Sequence, residues 1–189
     1  MKKNNLIILL LIIFIGCDIF NVRPSEKPDQ NSNNSLKAYS SDDLLKNFEL
    51  AYNTRSIQLY NSCFDNELGF NYKPLNQSLI SYPNLENWNV SKELNYFSNL
   101  VNDKSDEKIE NIFLNLKNEY SERDISTAKV KIEYFLKLVK FNKDTIIAKG
   151  LIYLNLYRTN SENWIIKNWE EINKTTDISW GDIKGKYAF

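Results

Sequence analysis

Between Ala128 and Trp169 apolar and polar residues alternate through three successive segments, a period of two that belongs to strands rather than helices. In the first, Val130, Ile132, Tyr134, Leu136 and Leu138 fall on one face, with Lys129, Lys131, Glu133, Phe135 and Lys137 on the other. The second, Thr145 to Tyr157, places Ala148, Gly150, Ile152, Leu154 and Leu156 on one face. Its opposite face, with Ile147, Leu151, Tyr153 and Tyr157, is nearly as apolar. Such a strand is expected at the centre of a sheet or covered on both sides, by helices or by a partner subunit. Gly150 within it predicts a bend or bulge in place of regular pairing. The third segment, Trp164 to Glu171, sets Trp164 and Ile166 opposite Ile165 and Trp169. Polar stretches at Asn142-Lys143-Asp144 and from Arg158 to Asn163 join the three into an antiparallel meander.

Upstream the period changes. Ser40 with Asp43 three residues on is a capping-box-like start for a helix whose stripe is Leu44, Leu45, Phe48, Ala51 and Tyr52, broken near Asn53-Thr54. A second short helix takes Ile57, Tyr60, Cys63 and Phe64 to one face. Glu67 to Tyr72 reads as a short strand ended by Lys73-Pro74, and Pro74 to Asn89 as a long loop, of the kind that is often functional. Ser91 caps a third helix, with Leu94, Phe97, Leu100 and Val101 on its face, and Lys108–Asn118 alternates as a strand. The expected order is helix, helix, strand, helix, then four strands. Past Glu171, Trp180 in the tail is expected to dock on the domain, across the sheet edge.

The first residues set the location. Lys2 and Lys3 precede ten consecutive apolar residues, Leu6 to Ile15, a length that suits a signal-peptide core and is about half the roughly 20 needed to span a bilayer. The junction Phe14-Ile15-Gly16-Cys17 resembles the lipobox of bacterial lipoproteins, with Phe14 where leucine is usual. That resemblance implies cleavage of a signal peptide, residues 1–16, and acylation of Cys17, attaching the protein to the extracytoplasmic side of an envelope membrane. Residues 17–39, rich in Ser, Asn, Asp and Pro, then form a flexible tether, and 40–189 one folded domain. With Cys17 acylated, Cys63 has no intramolecular partner and is expected to be a buried, inert thiol. Loss of Lys2 and Lys3 leaves 22 basic against 24 acidic residues, and so near-neutral a chain has no electrostatic case for nucleic acid.

The helix break at Ala51-Tyr52-Asn53-Thr54-Arg55-Ser56, the segment Phe64-Asp65-Asn66-Glu67-Leu68-Gly69-Phe70 and the late Trp164-x-Ile166-x-x-Trp169 resemble the NTF2-like superfamily from about Leu44 to Glu171. The resemblance implies an α+β cone: a strongly curved antiparallel sheet with the N-terminal helices packed on its concave face, enclosing an apolar pocket. It covers isomerases, dehydratases, polyketide cyclases and binding domains, so the fold leaves function open. Ketosteroid isomerase-like members carry a donor tyrosine on the first helix, where this chain has Phe48, and an aspartate just before a proline on the first strand, where it has Tyr72 and Lys73 before Pro74. Dehydratases of this fold lean on histidine, and the chain contains none.

Without histidine, Ser/His and Cys/His nucleophile activation and most zinc sites are excluded. The acidic cluster Asp103, Asp106, Glu107 and Glu110 does not fit a calcium loop. Counted from Asp103, Lys108 stands where the turn glycine belongs and Leu114 where the bidentate carboxylate belongs. Lysines 129, 131, 137, 140, 143 and 149 are either an ordinary wet sheet face or a basic stripe toward anionic lipid or cell-wall polymer. Among the aromatics, Tyr52, Tyr60, Trp88, Tyr134 and Trp164 are the candidates for lining a ligand pocket, each alternatively a core residue. The expectation is a membrane-attached protein with no catalytic residue, metal or cofactor, binding a small apolar ligand or an envelope protein. A small isomerase, dehydratase or hydrolase using Asp, Glu, Tyr or Lys is the alternative, and a homodimer through the face around Tyr153 and Tyr157 a third arrangement.

Overall fold

The computed structural model describes residues 36–65, 68–102, 108–142 and 144–188. The expected signal peptide, Cys17 and most of the tether lie outside them, as do Glu67 and three of the four acidic-cluster residues.

Helix α1, Ser41–Thr54, begins where Ser40 accepts the Asp43 N–H at 3.0 Å, and Asp42 and Asp43 in its first turn suit the positive end of the helix dipole. It buries Leu44, Phe48, Ala51 and Tyr52 and stops at Arg55, whose φ of 57° is left-handed. A non-glycine residue accepts that conformation here because its guanidinium bonds the Glu110 and Val101 carbonyls. α2, Ile57–Ser62, is capped by Ser56 and leads to the three-residue β1, Asn71–Lys73.

The expected loop from Pro74 is largely ordered as helix: α3, Asn76–Ser81, then a 3₁₀ turn at Pro83–Leu85. Ser78 and Leu85 face inward, a pattern too short to carry a periodic signal. Helix α4, Val90–Asn102, follows with Tyr96, Phe97, Leu100 and Val101 buried.

Four long strands complete the sheet: β2 (Ile109–Arg123), β3 (Thr127–Lys140), β4 (Thr145–Arg158) and β5 (Trp164–Lys174). They pair as an antiparallel meander, and β1 adds parallel to β5, giving the order β1-β5-β4-β3-β2. Register shifts in β2 and along the β4–β5 pair bend the sheet. It stays unclosed, with α1, α2 and α4 over the concave face; the edge strand β2 is clamped by Asn53, which donates to the Leu114 carbonyl and accepts its N–H.

β4 is central, which explains its apolar second face. Gly150 itself pairs in register with Tyr134 and Lys174, and the irregularity falls one residue later, between Leu151 and Ile152. The glycine serves close approach: a Cβ there would stand 2.2 Å from the Asn173 carbonyl oxygen. Gly150→Ala is therefore expected to push β5 off β4 and cost about 2 kcal/mol or more, read as a lower urea midpoint.

Trp180 does not cross the sheet edge. It opens a final helix α5, Trp180–Tyr187, which enters the mouth of the cone and places the indole, fully buried, at its centre. A capping box between Ser179 and Asp182 starts α5, and the Ser179 and Ser78 hydroxyls meet at 2.7 Å to hold it against α3. Among the described residues no helix is long and apolar enough to cross a membrane.

Candidate functional site: a filled cone

Most rings in the cone come from residues on buried stripes. Phe48 and Tyr52 project from α1, Tyr60 from α2, Tyr96 and Phe97 from α4, Tyr134 from β3 and Trp169 from β5. Trp180 sits among them, its ring centroid 4.5 Å from Trp169, 4.9 Å from Tyr134 and 5.5 Å from Tyr52. Its indole N–H lies 3.3 Å from both the Tyr52 and Tyr96 hydroxyls, which are 3.1 Å apart. The position that a ligand would take in an open cone is held by this side chain.

Two carboxylates share the interior. Glu93, in the first turn of α4 and fully buried, receives the Trp88 indole N–H and the Lys184 ammonium on Oε2, each at 2.6 Å, and the Tyr60 hydroxyl on Oε1. Lys184 is equally buried, its Nζ 3.6 Å from the Trp169 ring centroid and 3.9 Å from that of Tyr72. An ammonium so placed exchanges hydration for one carboxylate and two aromatic faces. Glu171, on β5, accepts the Gly181 N–H at 3.1 Å and the Tyr134 hydroxyl at 3.5 Å, and Tyr134 in turn accepts the Trp180 N–H at 3.2 Å. These are the first, otherwise orphaned amides of α5, so Glu171 and Tyr134 dock the helix by its N-terminus. Gly181 permits the approach, since a Cβ there would lie 2.8 Å from the Tyr72 hydroxyl and 2.9 Å from Glu171 Oε2.

The electrostatics follow from burial. Desolvation pulls Lys184 down to about 8, with Glu93 opposing. Desolvation pushes the Glu171 carboxyl up, against the pull of the Gly181 N–H and the Lys184 charge. Tyr52, Tyr60, Tyr72, Tyr96 and Tyr134 are all raised, burial being the main cause in each. Cys63 is buried against the Leu59 carbonyl and its thiol is pushed up by desolvation, so it stays protonated.

Stability should follow these signs. Above the usual carboxylate value of 4.5, the unfolded chain has released the Glu171 proton while the folded one keeps it, so stability falls as pH rises toward the folded value. Between about 8 and 10 the unfolded chain keeps the Lys184 proton that the folded one has lost. Stability then climbs with pH, by at most about 1.4 kcal/mol per unit. Urea unfolding across pH 5–10 should show the second limb in the native chain and a flat line there in Lys184→Met.

Of the five candidate residues, the fold brings Tyr52, Tyr60, Trp88 and Tyr134 around α5. Trp164 lies at the start of β5, where its N–H bonds the Ala38 carbonyl, and makes no ring contact with this group. Glu93, Lys184 and Glu171 were absent from the expectation, though two of them left a sign. Glu93 shares a helical face with Phe97 and Leu100, and Lys184 shares one with Trp180 and Tyr187; a charge on an apolar stripe marks a buried partner.

No family profile matches the sequence, and no curated protein matches it. Solved structures do. A Kribbella flavida protein is similar over 76% of this chain and 93% of its own, at 8% identity and a TM-score of 0.57. A candidate scytalone dehydratase from Novosphingobium aromaticivorans is similar over 71% and 81%, at 10% identity and 0.51. An NTF2-like superfamily protein from Salmonella enterica aligns over 72% and 89%, at 11% identity and 0.47. At such identities the likeness speaks for the fold alone, an α+β domain with a curved, unclosed sheet and N-terminal helices.

Proposed function

We propose that this is a lipid-anchored protein of the cell envelope that works by binding, without catalysis, and that recognises an envelope component on the outer face of its sheet. The observation that supports this is the occupied cone. The two carboxylates that acid–base chemistry in the cone would draw on, Glu93 and Glu171, are both engaged by the chain's own α5 and its neighbours. Opening the cone by withdrawing α5 would expose Trp180, Ile183 and Tyr187, at about 1.5–3 kcal/mol for each buried side chain, so the closed form dominates. This weighs against a small apolar ligand in the cone and for a partner outside it. Acyl chains on Cys17, each contributing about 0.8 kcal/mol per buried methylene, would hold the domain at the membrane, and two or more make the attachment lasting.

Fractionation of cells expressing the native chain and Cys17→Ser tests the anchor: the native protein should pellet with membranes and the variant should not. A panel of apolar small molecules tests the cone. No shift in melting temperature is expected, and a rise of several degrees with any member would return the cone to the position of binding site.

A further inference from the structure

The outer face of the sheet carries a row of aligned polar side chains. In register across four strands stand Asn71 on β1, Asn168 on β5, Asn155 on β4 and Lys129 on β3. Among the described residues none of the three asparagine side chains makes a hydrogen bond, so each offers both a donor and an acceptor. Two grooves share this row. One, of about 600 Å³, is lined by Glu122, Arg123, Lys129, Asn155, Tyr157 and Lys167, among others; the smaller, of about 240 Å³, continues past Tyr153 and Asn168 to Asn71 and Lys73.

The charges along this strip are unequal in their commitments. Arg123 is held bidentate by Asp42, Lys73 pairs with Glu170 at 2.5 Å, and Glu122 accepts from the Tyr120 hydroxyl. Asp124 also lines the larger groove and caps the Ile125 N–H. Lys131, next along the same face, is within 3.7 Å of Glu119. Lys129 and Lys167 have no carboxylate partner among the described residues and lie over the rings of Tyr153 and Tyr157, at 4.8 and 5.2 Å. A β-bulge opposite Asn155 brings Lys167 to the groove.

Resting on the outer-face reading above, we propose that this strip binds a linear glycan that carries acetamido or hydroxyl groups and a carboxylate. Strands lie about 4.8 Å apart, so the row from Asn71 to Lys129 spans roughly 14 Å, room for a few sugar units crossing the strands. Asparagine amides pair with acetamido and vicinal hydroxyl groups through matched donors and acceptors. The two uncommitted ammonium groups complement one carboxylate, and the tyrosines supply flat apolar edges for pyranose rings. The committed acids, Glu122, Asp124 and Glu170, set the strip against a densely charged polyanion, which distinguishes this site from a general basic patch.

The test uses full-length protein in detergent and isothermal titration with a hyaluronan octasaccharide, in which acetamido and carboxylate groups alternate. Binding is expected, with a loss of tenfold or more both in Lys129→Ala/Lys167→Ala and in Asn155→Ala/Asn168→Ala, and weaker binding of the neutral N-acetylglucosamine hexamer. All four positions are on the outer face, and unchanged melting temperatures would show the variants folded. No binding to either saccharide overturns the proposal. So does equal or tighter binding of heparin or of phosphatidylglycerol vesicles that is indifferent to the asparagine changes, since that is charge alone. If isolated envelopes digested with glycosidase still bind added Cys17→Ser protein, which lacks the acyl anchor, and the two lysine changes in that background abolish the binding, the outer face binds something other than a glycan. The ligand class then falls and the outer-face reading stands.

Discussion

Replacing Lys184 with alanine is expected to destabilise the domain by about 3–5 kcal/mol, because it leaves the Glu93 carboxylate charged and buried without its cation. The loss comes more from stranding the partner than from the worth of the pair itself. Exchanging both residues should therefore be milder: in Lys184→Met/Glu93→Gln the methionine fills the space between Trp169 and Tyr72, and the glutamine keeps its one oxygen as acceptor for the Trp88 indole N–H and turns its NH2 group to the Tyr60 hydroxyl, which then accepts. Urea unfolding of the four-member cycle should give a coupling of at least about 1 kcal/mol between the positions. A cost below that for Lys184→Ala alone would mean that water reaches Glu93.

Trp180→Ala should be as severe, at about 3–5 kcal/mol, and for a different reason. The indole is the largest fully buried part of α5 and touches Phe48, Tyr52, Tyr134 and Trp169, rings that come from α1, β3 and β5. Its removal leaves a void and deprives the Tyr52 and Tyr96 hydroxyls of a shared donor. Added indole should refill the void and restore part of the lost melting temperature. Trp180→Phe, which preserves most of the volume and loses the N–H, should cost about 1–2 kcal/mol more than its volume change alone. In the native chain, protease should fail to trim the tail before the whole domain unfolds; a tail removed with stability intact would refute the docking.

Periodicity carried the sheet. The meander and the helix faces were legible because burial on one face imposes a spacing that survives in sequence, and the apolar second face of β4 marked it as central or twice covered, of which the sheet order shows the first. The short α3 and the 3₁₀ turn were not, since two turns are too few to establish a period. Gly150 was legible as a special position but not as to kind, because a glycine tolerating a close carbonyl and a glycine bending a strand look alike along the chain. Tyr52, Tyr60, Trp88 and Tyr134 were recognisable as large aromatics without a defined role. Whether such rings enclose a space or fill one depends on what comes to lie between them, and that came from more than 40 residues further along the chain for every one of the four.

What the chain determined by itself was the alternation that makes an antiparallel meander, the stripes that give each helix a face to bury, and the absence of histidine that closes off much familiar catalysis. Tertiary structure alone decided that the cone is full. A tryptophan and a lysine six and ten residues past the end of β5 do not show in the sequence which partners they reach. They become the centre of the molecule because Glu171 and Tyr134 capture the first amides of α5, and because Glu93, on a separate helix, offers the carboxylate that pairs with the buried Lys184.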